Sequence, residues 1–97
     1  MILADGEELS LAHPDSFCLP PLDEREDLKK GMHVKLIFDD AERMWVKVVE
    51  RICIDEKVVY KGHLANHPTV VDLKFGDEVV FEPKHVVDIF PPEPEDD

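Results

Sequence analysis

Two histidines, His63 and His67, stand four positions apart, a spacing at which both side chains would share one face of a helix and could bind a metal such as zinc. Gly62 precedes the pair, Pro68 follows it, and Asn66 favours a turn, so the local sequence predicts a loop with solvent-facing histidines. Binding of a metal or small ligand by this loop is the alternative function. No cofactor is expected.

The residues that could act as nucleophiles lie in settings that do not favour catalysis. Ser10 and Ser16 fall in an irregular stretch, and the chain lacks G-x-S-x-G, P-loop, G-x-G-x-x-G and H-E-x-x-H motifs. Cys18 and Cys53 are far apart and form no C-x-x-C, which predicts reduced thiols in a cytoplasmic protein, with an occasional bridge between them as the alternative. The sequence thus predicts a protein that is not an enzyme.

The chain is strongly acidic, with 23 acidic and 11 basic residues and a net charge of −12. Residues 1–30 contribute −5, residues 31–90 contribute −3 and residues 91–97 contribute −4. Such a charge repels nucleic acid and anionic membranes and speeds encounter with a basic protein, which we expect as the partner. The competing interpretation is that acidity only maintains solubility. No apolar run approaches the roughly 20 residues that span a bilayer, and no signal peptide is evident.

Four residues are the best candidates for partner contact, namely Trp45, Asn66, His67 and Phe90. Trp45 falls on the face of a predicted strand opposite the core side, so it either fills the core or plugs a barrel end, or anchors a partner. Phe90 beside the prolines is equally ambiguous, and Asn66 and His67 belong to the loop. The oligomeric state is left open.

Alternation of apolar residues dominates the middle of the chain. Period-two patterns predict strands at 33–38, 43–54, 57–62 and 78–82, with a final short apolar segment at 85–90. Glu50 interrupts the longest run, which predicts a bend or β-bulge near it, and Asp55 with Glu56 predicts a tight turn. A helix is predicted at 22–30, with Asp23 as N-cap and Gly31 at its end.

These elements predict a mainly β domain with a short N-terminal helix. About five strands would form a small, strongly bent antiparallel sheet or SH3-like barrel, and an open sheet with the helix on one side is the alternative. The domain would occupy residues 22–90, preceded by an arm at 1–21 and followed by an acidic, proline-rich tail at 91–97.

The middle of the chain contains five short motifs, namely Lys35-Leu-Ile-Phe38, Glu42-Arg-Met-Trp-Val46, Gly62-x-Leu64-x-Asn66-x-Pro68, Gly76-Asp77-x-Val79 and Phe81-Glu-Pro-Lys-His-Val86. Together they resemble the YegJ-like family of small bacterial domains of unknown function. The resemblance spans roughly residues 28–89 and implies a bacterial origin but no catalytic residues. By analogy, small acidic bacterial domains of this kind include immunity proteins against secreted toxins, which agrees with a basic protein partner.

Overall fold

The chain folds around a single sheet, and a computed structural model describes residues 2–15, 19–39, 41–68 and 71–90. Two short helices precede the sheet, and a 3-10 helix at Pro83–His85 separates its last two strands. The helices are α1 (Gly6–Ala12) and α2 (Leu22–Arg25), and the strands are β1 (His33–Phe38), β2 (Glu42–Ile54), β3 (Lys57–Leu64), β4 (Glu78–Phe81) and β5 (Asp88–Phe90).

All five strands pair antiparallel in the order β4-β3-β2-β1-β5, which confirms the mainly β prediction. The first four predicted strands are present as β1 to β4. Of the last apolar segment, predicted at 85–90, only the final three residues form a strand, β5. No ladder among the described residues joins β4 to β5, so the SH3-like barrel stays a prediction. No helix in the described part of the chain is long and apolar enough to cross a bilayer.

The hairpin of β2 and β3 contains the predicted turn and the predicted bulge. Asp55 and Glu56 both have positive φ, 51° and 65°, as a two-residue type I′ connection requires. The register shifts between Val48 and Glu50, so Val49 is an extra residue in β2. Beyond the turn, β3 extends to Leu64, and His63 therefore belongs to a strand, contrary to the predicted loop.

The bulge reverses the side chains of the distal part of β2. Before it, Val46 and Val48 face the core and are fully buried. After it, Ile52 and Ile54 point to the opposite side, because one extra residue exchanges the two faces of a strand. An uninterrupted alternation along β2 would place both isoleucines on the core side with Val46 and Val48, whereas Ile54 is 61% exposed.

The core lies on one face of the sheet, which we call the inner face. Tyr60 of β3 and Phe81 of β4 stack there, with ring centroids 5.3 Å apart. Leu28, which follows α2, and Val86, which follows the 3-10 helix, cover this face and are almost completely buried. The connections that follow α2 and the 3-10 helix thus complete the core on the inner face, which the strands alone would leave open.

The predicted helix at 22–30 begins at the expected residue, Leu22, but is shorter than expected. It ends at Arg25, and Pro21 occupies the N-cap position without a side-chain cap, so the prediction of Asp23 as N-cap is wrong. The chain leaves the helix because Tyr60 Oη donates to the Arg25 carbonyl at 2.8 Å and accepts from the Leu28 amide at 3.2 Å. These contacts draw residues 25–28 into the core.

The predicted N-terminal arm contains α1, which the composition did not indicate. Asp5 caps this helix, its Oδ1 accepting from the amides of Glu7 and Glu8 at 2.9 and 3.2 Å. Cys53 has an exposed free thiol. Cys18 and the predicted tail at 91–97 lie outside the described residues.

Candidate functional site

An open cleft of about 560 Å³ lies between the segment around α2 and the edge strand β5. Its rim carries four carboxylates and one ammonium group, whereas Leu28, Met32 and Ile89 supply apolar surface. We call it the acidic cleft; its lining is Pro20, Asp23, Glu24, Asp27, Leu28, Lys29, Met32, Asp88 and Ile89.

Pairing of distant segments creates the acidic cleft. β5 pairs with β1, with Val34 opposite Ile89 and Lys35 opposite Asp88, and Asp88 and Ile89 line the cleft together with Met32, which precedes β1. On the other side, the Tyr60 hydroxyl holds the backbone between Arg25 and Leu28. The two walls therefore belong to parts of the chain more than 50 positions apart, and both are anchored to the sheet.

The carboxylates of the acidic cleft differ in their partners. Lys29 Nζ lies 2.7 Å from Asp27 Oδ1, and this hydrogen bond together with the lysine charge holds the pKa of Asp27 below its ordinary value of 3.8. Asp88 Oδ1 accepts from the Ile89 amide at 2.9 Å. Asp23 and Glu24 are exposed, and within the described residues their carboxylates contact no basic side chain.

This arrangement suits a cationic side chain with an apolar stem. Lysine and arginine place their methylene groups on apolar surface while the charged end stays near water and carboxylates. Met32 and Ile89 are half-buried and offer such surface, whereas Asp23 and Glu24 offer charge. Arginine can bind a carboxylate with two parallel hydrogen bonds, so it is the better-matched group.

The predicted contact residues Trp45 and Phe90 lie together on the other face of the sheet, the outer face. Their rings meet edge to face, with centroids 5.3 Å apart and planes at 86°. Lys35 Nζ sits 4.7 Å from the centre of the Trp45 ring. Trp45 is half-buried and Phe90 is 60% exposed, so neither residue fills the core.

The structure separates the remaining predicted residues from this aromatic pair. The Asn66 side chain accepts a hydrogen bond from the Trp45 backbone amide through Oδ1, which fixes the loop after β3 to β2. His67 stacks on Phe75, with ring centroids 5.0 Å apart. His63 faces outward from β3, opposite Lys47. Within the described residues, no three histidine, cysteine or carboxylate side chains converge to hold a metal.

Sequence reasoning missed the acidic cleft, although one signal was present. Asp23 and Asp27 are four positions apart in the segment that was assigned to a helix, and they would share a face there. Nothing local indicated that Asp88 would join them. Comparison with protein-family models, with curated proteins and with solved structures finds no match for this chain.

Proposed function

We propose that the protein is a non-catalytic, cytoplasmic bacterial binding module that takes up a basic segment of a partner protein in its acidic cleft. The observation that carries this proposal is the combination of exposed carboxylates on Asp23 and Glu24 with an apolar floor at Met32 and Ile89. A net charge of −12 adds long-range attraction for a basic partner. An immunity-like role against a basic toxin belongs to the same proposal, and the resemblance to the YegJ-like family supports its bacterial setting.

Charge supplies the rate of encounter, and the cleft supplies the place of binding. Exposed ion pairs contribute only about 0.2–1 kcal/mol each, so carboxylates alone would hold a basic segment weakly. Burial of an arginine or lysine stem against Met32 and Ile89 adds apolar contact at the same place. Tight binding would therefore require both parts of the cleft.

The test uses a synthetic arginine-rich peptide and a glutamine-substituted peptide of the same length. Binding to the arginine-rich peptide should be measured by calorimetry, and the association rate should fall steeply between low and high salt. We expect the double variant Asp23→Asn/Glu24→Gln to weaken binding by about two- to thirtyfold, from two exposed pairs of about 0.2–1 kcal/mol each.

The matched control is Glu8→Gln/Asp72→Asn, which changes the net charge equally at exposed positions outside the cleft lining. It should retain nearly the wild-type affinity. Equal weakening in both double variants would show that only overall charge matters and would reject the cleft. Association that is insensitive to salt would reject the basic partner itself.

A further inference from the structure

The outer face of the three central strands is cationic, although the chain as a whole is strongly acidic. Side chains alternate along a strand, and the registers of β1, β2 and β3 place five of the eleven basic residues on this face with a single acid, Glu50. We call it the basic face; its basic members are Lys35, Arg43, Lys47, Lys57 and Lys61.

A row of nitrogen-bearing side chains crosses the centre of the basic face. His33 of β1 pairs with Lys47 of β2, and Lys47 pairs in turn with His63 of β3. Strands are about 4.8 Å apart, so the row is about 10 Å long. We call His33, Lys47 and His63 the cationic row. Phe90 of β5, the register partner of His33, extends it toward the aromatic pair.

Lys47, at the centre of the cationic row, has an ammonium group that is accessible to a ligand. Its side chain is exposed, and within the described residues no carboxylate lies within 4.0 Å of its ammonium group. By contrast, Lys61 lies 3.9 Å from Glu78, and Lys35 lies over Trp45. Lys47 therefore has no ion pair in the described part of the chain that would contribute to folding, and its ammonium group can pair with an anionic ligand, with imidazole N–H groups of His33 and His63 as hydrogen-bond donors on either side.

We propose that the basic face binds an acidic, extended segment of a second protein partner. Alternate side chains of an extended chain are about 6.6 Å apart on one side, so two acids two positions apart fit within the roughly 10 Å length of the cationic row. An apolar residue two positions before those acids lies on the same side and would meet Trp45 and Phe90, which present aromatic surface at the end of the row. The module would then hold two partners of opposite charge on different surfaces.

An acidic protein segment fits this face better than a nucleic acid does. The basic face is small and bordered by acids: Asp88 of β5 is the register partner of Lys35, and Glu78 of β4 is the register partner of His63. The carboxylates of Asp23 and Glu24 lie near Asp88 in the acidic cleft. A phosphate backbone carries charge along its whole length and would meet these carboxylates as well as the net charge of −12. A short acidic peptide can place its charges over the cationic row alone.

The test uses the peptide acetyl-Phe-Gly-Glu-Gly-Glu-amide, in which the phenylalanine and both acids share one side of the extended chain. Binding is followed by the fluorescence of Trp45, which is the single tryptophan of the chain. We expect saturable quenching or a spectral shift at low salt that disappears at high salt. Lys47→Gln should weaken binding by about two- to fivefold, in line with the loss of one exposed ion pair. Lys47→Glu should weaken it further.

The matched control is Lys74→Gln, an exposed lysine in the connection between β3 and β4, and it should bind the peptide as the wild type does. An equal loss in Lys74→Gln would overturn the assignment to the basic face, as would the absence of any saturable response in the wild type. A thymidine oligonucleotide with the same number of charges serves as a second probe. Binding of this probe as tightly as the peptide would overturn the choice of a protein partner.

Discussion

Arg25 and Glu7 join the two N-terminal helices, with Arg25 Nη1 donating to the Glu7 carboxylate at 2.8 Å. The same guanidinium donates through Nε to the Pro20 carbonyl at 2.8 Å and through Nη1 to the Pro83 carbonyl at 3.1 Å. Arg25 is only 6% exposed. One buried side chain therefore ties α1, the entry to α2 and the 3-10 helix into a single unit.

Replacing Arg25 by methionine should lower the free energy of unfolding by about 2–4 kcal/mol, because it leaves two partly buried carbonyl groups without their donor and removes the partner of Glu7. Urea denaturation followed by Trp45 fluorescence measures this loss. Arg51→Met is the matched control, since within the described residues the exposed Arg51 side chain donates one hydrogen bond, to the Glu26 carbonyl at 2.9 Å, and its cost should stay within about 1 kcal/mol. Similar losses in both variants would contradict the role given to Arg25.

Replacing Tyr60 by phenylalanine should cost about 1–3 kcal/mol, because the Leu28 amide and the Arg25 carbonyl lose their buried partner. The ring stack on Phe81 survives this change, so the loss reports the hydroxyl group alone. Hydrogen exchange at the Leu28 amide should accelerate more than exchange in β2. An unchanged urea midpoint together with unchanged exchange at Leu28 would refute this prediction.

Replacing Gly62 by alanine should cost about 1–3 kcal/mol through overpacking. A Cβ atom at this position would overlap Val46 Cγ1 and would lie 2.7 Å from the Lys47 carbonyl oxygen. The second variant Gly62→Ala/Val46→Ala removes the first overlap but not the second, so it should not restore the stability of Val46→Ala alone. Thermal unfolding of the four proteins completes the cycle, and full additivity would argue against direct contact.

The stability of the fold should fall as His85 becomes protonated. Burial lowers the pKa of His85 below its ordinary value of 6.5, against the opposing charges of Glu82 and Asp5. Its Nδ1 accepts from the Glu82 amide at 2.9 Å, which requires the unprotonated nitrogen. Since the unfolded chain binds this proton more tightly, stability is retained above pH 6.5 and declines as the pH falls toward the lower pKa of the folded state.

The measurement compares urea midpoints of the wild type and of His85→Gln between about pH 7.5 and 5.5, above the range in which most carboxylates titrate. The variant should lose less stability over this interval than the wild type does. A ring titration of His85 by nuclear magnetic resonance gives its midpoint directly. A midpoint above 6.5 would reverse the expected sign.

Much of the sheet was predictable because strand formation here follows local alternation. Val34, Leu36 and Phe38 give β1 its inward face, and the interruption at Glu50 indicated the bulge. The exchange of faces beyond the bulge was not predicted, because a sequence pattern does not specify at which residue the register shifts. α1 was missed although Asp5 and Glu8 have the spacing of a capping box.

The candidate surfaces depended on contacts between distant residues and were less predictable. Asp23 and Asp88 meet at one cleft only because β5 pairs with β1. His33, Lys47 and His63 form a row only because three strands adopt one register, which no local pattern reveals. Trp45 and Phe90 were chosen for their side-chain type, and their mutual contact emerges from the fold.

The extra residue at Val49 determines which atoms of the hairpin tip meet water. With it, Arg51 and Cys53 share the side of the buried Tyr60 and Val58, whereas Ile52 and Ile54 turn outward. Removal of that one residue would swing the isoleucines inward and would carry the thiol and the guanidinium to the opposite surface. Deletion of a single codon would thereby exchange the inward and outward side chains of the last third of β2, although the composition of the hairpin would hardly change.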